Sequence, residues 1–105
     1  MKKFILVYYG GTEESDPKKA QEIMGAWMKW FKELGSAVVD MGAPTEPGKT
    51  VDSKGAKKGV AGDPVTGYSI VQADTLDKAV AMAGKSPHLS DGGRIAIYEL
   101  LPMGM

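Results

Sequence analysis

The chain of 105 residues contains no cysteine. Disulfides, thiolate nucleophiles and cysteine-ligated metals are therefore excluded. The compartment stays open on this ground, since a chain without thiols is stable in either redox state. There is one histidine and no spaced carboxylate cluster, so a metal shell of the usual kind is not expected. Net charge is absent as well: thirteen basic residues cancel thirteen acidic ones. That balance argues against a nucleic-acid partner or an anionic membrane surface. No apolar run approaches the ~20 residues of a membrane span. The N-terminal run Phe4 to Tyr9 is shorter than a secretory core of roughly 7–15 residues and meets Gly10-Gly11-Thr12-Glu13-Glu14 at once. The cytoplasm is the expected location. Phosphate-loop and nucleophile-elbow spacings are missing too. Gly10-Gly11-Thr12 lacks the following G-K-[ST], and no G-x-S-x-G occurs. No cofactor is expected.

What is present is an ordinary globular composition, 43% apolar and 25% charged, long enough for one domain over residues 1–105. Phe4-Ile5-Leu6-Val7-Tyr8-Tyr9 reads as a strand that is apolar on both faces, hence covered on both sides. Asp16-Pro17 opens a helix: a short carboxylate can accept an unpaired N–H of the first turn, and proline loses nothing at the first position. Ala20, Ile23, Met24, Trp27, Trp30, Phe31 and Leu34 follow as a helical stripe, and Gly35 ends it. Ala37 to Met41 reads as a short second strand. Residues 42–67 are rich in turn formers and lysine. They suggest an irregular hairpin around Asp52-Ser53-Lys54-Gly55, with a weak edge strand near Lys57 to Ala61. Tyr68 to Ala73 is a strand. Asp74 or Thr75 can cap a helix carrying Leu76, Ala79, Val80 and Ala83, and Arg94 to Leu101 is a last strand.

This order predicts an α+β, ferredoxin-like βαββαβ sandwich with both helices on one face of an antiparallel sheet. The other face would expose apolar residues of the opposite parity. A second copy is its simplest cover, so a homodimer joined through sheet faces, a dimeric α/β barrel, is expected.

Several segments carry a family resemblance. The opening strand and Trp30-Phe31-Lys32-Glu33-Leu34-Gly35 resemble the YCII-related (DGPF) family. Gly67-Tyr68-Ser69-Ile70-Val71-Gln72-Ala73-Asp74-Thr75-Leu76-Asp77-Lys78-Ala79 is similar to its GY-x-I-x-A-x-[ST]-L-D-x-A pattern. Ser86-Pro87-His88-Leu89 with Gly92-Gly93-Arg94-Ile95 resembles the CPHL…GG ending of one branch. The resemblance spans nearly the whole chain and is weakest over residues 42–59. It implies a dimeric α/β barrel with a small cleft between helix and sheet. In a few members it implies enzymes acting on small ring compounds, through a histidine on the first helix and a nearby aspartate. This chain has no histidine on that helix, where Met24 sits at about that place. The DGPF signature survives only as Gly62-Asp63-Pro64-Val65.

Candidate site residues follow. His88 is a possible general acid/base, with Asp40, Asp63 or Asp91 as orienter; the alternative is a cap or loop hydrogen bond. Asp40 is a possible carboxylate base or a solvated strand end. Tyr8, Met24, Trp27, Tyr68 and His88 are candidate ligand contacts, against a reading in which the aromatic residues are core or interface. Two functions compete. One is a small-molecule-binding or accessory protein without turnover; the other is an isomerase or lyase on a small cyclic compound.

Overall fold

The computed structural model describes residues 1–11 and 15–102; of Asp91 only the backbone is described. Thr12, Glu13 and Glu14 lie outside the described residues. Strand β1 (Lys2–Tyr9) is followed by helix α1 (Pro17–Leu34). Asp16 caps α1 as its chemistry dictates, accepting from the Lys18 N–H at 3.0 Å. Gly35 closes it with a positive φ of 57° and its N–H on the Phe31 carbonyl.

A short 3-10 turn (Gly35–Ala37) leads into β2 (Val38–Pro44), which starts one residue later and runs three residues further than the sequence suggests. The extension is irregular. Pairing of β2 with β5 (Val65–Ala73) shifts register between Val38 and Asp40 and again between Asp40 and Ala43. Gly42 sits in the second irregularity at φ +77°, and a Cβ there would run into the Tyr68 carbonyl. Only glycine lets the two backbones meet so closely.

The middle segment forms a hairpin of β3 (Lys49–Asp52) and β4 (Gly55–Lys58), turning at the expected Asp52-Ser53-Lys54-Gly55. Asp52 braces the turn by accepting the Lys54 N–H at 2.8 Å. The hairpin is a separate two-stranded sheet. The segment near Lys57 to Ala61 is thus not an edge of the main sheet, a departure from the sequence expectation. Turn formers at Pro47, Gly48, Gly59 and Gly62 detach it from its neighbours.

Thr75, rather than Asp74, caps helix α2 (Leu76–Ala83), accepting from Lys78 N–H at 3.2 Å. A second 3-10 turn (Pro87–Asp91) precedes β6 (Arg94–Leu100). The main sheet has the order β2-β5-β1-β6, all antiparallel. With β3 and β4 set aside, that is the ferredoxin-like arrangement.

The core lies between sheet and helices. Phe4, Leu6 and Tyr8 of β1 and Val71 and Ala73 of β5 meet Trp30 of α1 and Ala79 and Ala83 of α2. Alanines let α2 approach the sheet closely, while Leu76 and Val80 stay about half exposed at its flanks. The stripe on α1 is narrower than its spacing suggests, because Met24 is 65% exposed. The other parity of the sheet carries Ile5, Val7, Tyr9, Ile70, Ala96, Tyr98 and Leu100, none of which joins the core cluster under the helices.

Candidate functional site

At one end of the covered face, five rings gather. Tyr8 is the last helix-facing residue of β1, so its ring meets α1. Trp27 stands edge-on to Tyr8, with centroids 5.0 Å apart and planes at 83°. Trp27 also meets Trp30 edge-on at 5.7 Å and Phe31 at 5.9 Å. His88, from the second 3-10 turn, completes the group 5.3 Å from Tyr8 and 6.1 Å from Trp27. Edge-to-face contacts of this kind are each worth about 1 kcal/mol beyond burial.

Several polar atoms in this cluster are hydrogen-bonded. The Tyr8 hydroxyl donates to Ser69 Oγ at 2.7 Å, and Ser69 donates on to the Met41 carbonyl at 2.7 Å. Burial pushes the Tyr8 phenol up to about 12, against a smaller lowering by its bond to Ser69. Tyr8 is therefore a neutral donor over the whole physiological range. Trp30 donates its indole N–H to the Met82 carbonyl at 3.1 Å, tying α1 to α2.

His88 is 7% exposed. Ser86 caps its turn by accepting the His88 N–H at 3.2 Å. The imidazole Nε2 lies 2.9 Å from the Tyr9 carbonyl oxygen. A carbonyl can only accept, so Nε2 is the donor, and Nδ1 is the nitrogen that bears the lone pair when the ring carries one proton. Two glycines make the berth. A Cβ on Gly93 would overlap the imidazole, and one on Gly11 would stand 3.1 Å from its Cε1. The imidazole thus makes a side-chain to main-chain bond rather than a bond to a carboxylate. His88 pins the second 3-10 turn to the end of β1.

The structure brings Tyr8, Trp27 and His88 together and sets the other candidates apart. Tyr68 lies on the opposite, open face, paired with Val7 and Ala43. Met24 is on the outer side of α1. Asp40 is exposed on β2 and accepts the Gly42 N–H at 2.8 Å. Asp63 is held by Arg94 at 3.1 Å, and the Asp91 side chain lies outside the described residues. Among the described residues, no carboxylate reaches the imidazole. No three metal-ligating side chains gather among them either.

Two surface depressions lie elsewhere. A groove of about 660 Å³ runs between α1 and β2, lined by Met28, Phe31, Lys32, Val38 and Met41 among others. A smaller hollow of about 180 Å³ lies near Leu34, Gln72, Lys78 and Met82. Sequence reasoning missed the Tyr9 carbonyl and the glycine berth, because neither carries a side chain to notice. The available signal was the pair Gly10-Gly11 and Gly92-Gly93, which β1–β6 pairing brings side by side through Tyr9 and Arg94.

Comparison with known proteins agrees with this architecture. No curated protein matches the chain. Among solved structures, it is similar to the 5-chloro-2-hydroxyhydroquinone dehydrochlorinase TftG of Burkholderia phenoliruptrix AC1100, in complex with 2,5-dihydroxybenzoquinone. The two share 16% identity and a TM-score of 0.56, with 93% of each chain covered. That likeness speaks for the fold. The model of the YCII-related domain matches residues 1–104, and the chain belongs to the YCII-related family.

Proposed function

We propose that the protein is a homodimeric binder of a small cyclic organic compound, without turnover. One observation carries the reading: the proton on His88 Nε2 is committed to the Tyr9 carbonyl, and no described carboxylate orients the ring. The Tyr8 hydroxyl is likewise committed to Ser69. Groups that would have to move protons instead tie segments of the fold together. The rings of Trp27 and Phe31, both only partly buried, offer flat apolar surface of the sort a planar ring stacks on. The similar dehydrochlorinase holds a dihydroxybenzoquinone, a ligand of that shape.

Dimerisation is argued from the open face. Ile5, Val7, Ile70, Ala96, Tyr98 and Leu100 form an apolar surface on the side away from both helices. Monomers seldom leave such a patch uncovered, and a second copy related by a two-fold axis supplies its complement.

A second reading has its own support. With Nε2 protonated, Nδ1 is a lone-pair nitrogen directed to the Gly11 side, as a proton acceptor in a lyase would need. Titration with 2,5-dihydroxybenzoquinone, read by tryptophan fluorescence, separates the two when paired with chloride release from 5-chloro-2-hydroxyhydroquinone. Quenching that weakens in His88→Ala, without chloride release, supports the binder. Chloride release that disappears in His88→Ala replaces it with the lyase. Absence of quenching removes this class of ring as the ligand.

A further inference from the structure

Among the described residues, the β3–β4 hairpin pairs with no strand of the main sheet and buries none of its own side chains. Every residue from Thr45 to Lys58 is exposed, Val51 to 77%. Its strands have four residues each and pair chiefly with one another. A lone two-stranded hairpin is marginally stable at best in water. This one is weakened further, because Lys49 stands directly opposite Lys58, and like charges in that position repel. The hairpin also enlarges the molecule. Its radius of gyration is 15.2 Å, against about 13 Å for a compact chain of this length.

Charge is divided along the same boundary. Residues 49–58 hold four lysines and one aspartate, a net charge of +3. The whole chain is neutral, so the remaining residues carry −3. The arm thus has the sign that a second body of this same chain would attract. On one side of the ribbon, Val51 and Ala56 form an apolar cross-strand pair in front of Lys49 and Lys58. That is an apolar contact with a cationic pair beside it on the same side of the ribbon. The arm leaves the sheet where β2 ends at Pro44 and rejoins it where β5 begins at Val65.

We propose that the β3–β4 arm is a clasp: it closes on the acidic body of a second copy, with Val51 and Ala56 in contact and the lysines at the rim. This deepens the dimer proposed above and rests on it. The clasp makes pairing salt-dependent through the arm, whereas the sheet faces contribute an apolar, salt-insensitive part.

The test uses the full chain. Hydrogen exchange of the amides of residues 49–58 is followed across a protein dilution series. The dimer dissociation constant of the unmodified protein, of Lys49→Glu/Lys58→Glu and of Val51→Asp is measured by analytical ultracentrifugation at low and high salt. Expected are amides protected only at dimer-forming concentrations, at least tenfold weaker pairing in each variant, and loss of most salt dependence in the lysine variant. Both variants change exposed residues, and circular dichroism verifies their fold. A dimer whose arm amides exchange freely, and whose affinity neither variant alters, overturns the clasp and leaves the sheet-face dimer standing. A monomer at every concentration overturns both. Arm amides protected only on adding a polyanion such as heparin would also overturn the clasp.

Discussion

The two faces of the main sheet are built from the same kinds of residue and end differently. On β1, Phe4, Leu6 and Tyr8 are sealed under the helices, at 0%, 0% and 5% exposure. Their neighbours Ile5, Val7 and Tyr9 point the other way and stay half-buried between the adjoining strands. The helices supply Trp30, Ala79 and Ala83 to one side and nothing to the other. Apolar character in a strand therefore says that a face must be covered. It does not say by which element, or by which molecule.

The largest effect should come from opening the covered face. Leu6→Ala removes a fully buried side chain from the core and should cost about 3 kcal/mol or more, read as a lowered denaturation midpoint. Ile5→Lys, one residue away on the open face, should leave the secondary structure of the single chain intact and abolish sheet-face pairing. Equal destabilisation by the two, with no change in particle mass, would erase the distinction between the faces.

Next come the glycines beside His88. Gly93→Ala should displace the imidazole from the Tyr9 carbonyl and cost about 2 kcal/mol through clash and a broken buried bond. Gly92→Ala meets no atom within 4 Å but stands at φ +79°, so it should cost only the ~1 kcal/mol of a left-handed residue. A histidine side-chain NMR spectrum distinguishes them, since only the first should move the ring signals.

Tyr8 provides a pH test of the covered face. Its folded value lies near 12 and its unfolded value near 10. The folded state therefore holds the phenol proton more tightly. The associated stability, up to about 3 kcal/mol, is complete below pH 10 and declines as pH rises from 10 to 12. Tyr8→Phe should flatten that stretch of the stability profile, and an unchanged profile would contradict the assignment. Smallest of all is Arg94→Ala. It removes an ion pair with Asp63 whose partners are both about 60% exposed, and a cation seated 4.6 Å over the Tyr9 ring. It should cost less than about 1 kcal/mol.

Local chemistry made much of this fold legible. Asp16-Pro17 and Gly35 bracket α1 as read from the sequence, and the hairpin turns at Asp52–Gly55. Strand β2 was harder: its bulges depend on how closely the Gly42 and Tyr68 backbones approach, a property of two distant segments. Tyr8 and Tyr68 look equivalent in sequence, yet strand register sends them to opposite faces. Met24 and Trp27 share an apolar stripe by spacing alone, and only the width of the α1 contact leaves Met24 outside. For His88 the residue was visible and its partner was not, since a main-chain carbonyl belongs to no motif.

The hydroxyl chain from Tyr8 through Ser69 to the Met41 carbonyl crosses from β1 over β5 to β2. It fastens the irregular strand three residues before Pro44, where the hairpin departs. A fully buried serine thereby joins three strands through its side-chain oxygen, at the stretch where β2 pairs least regularly with its neighbour.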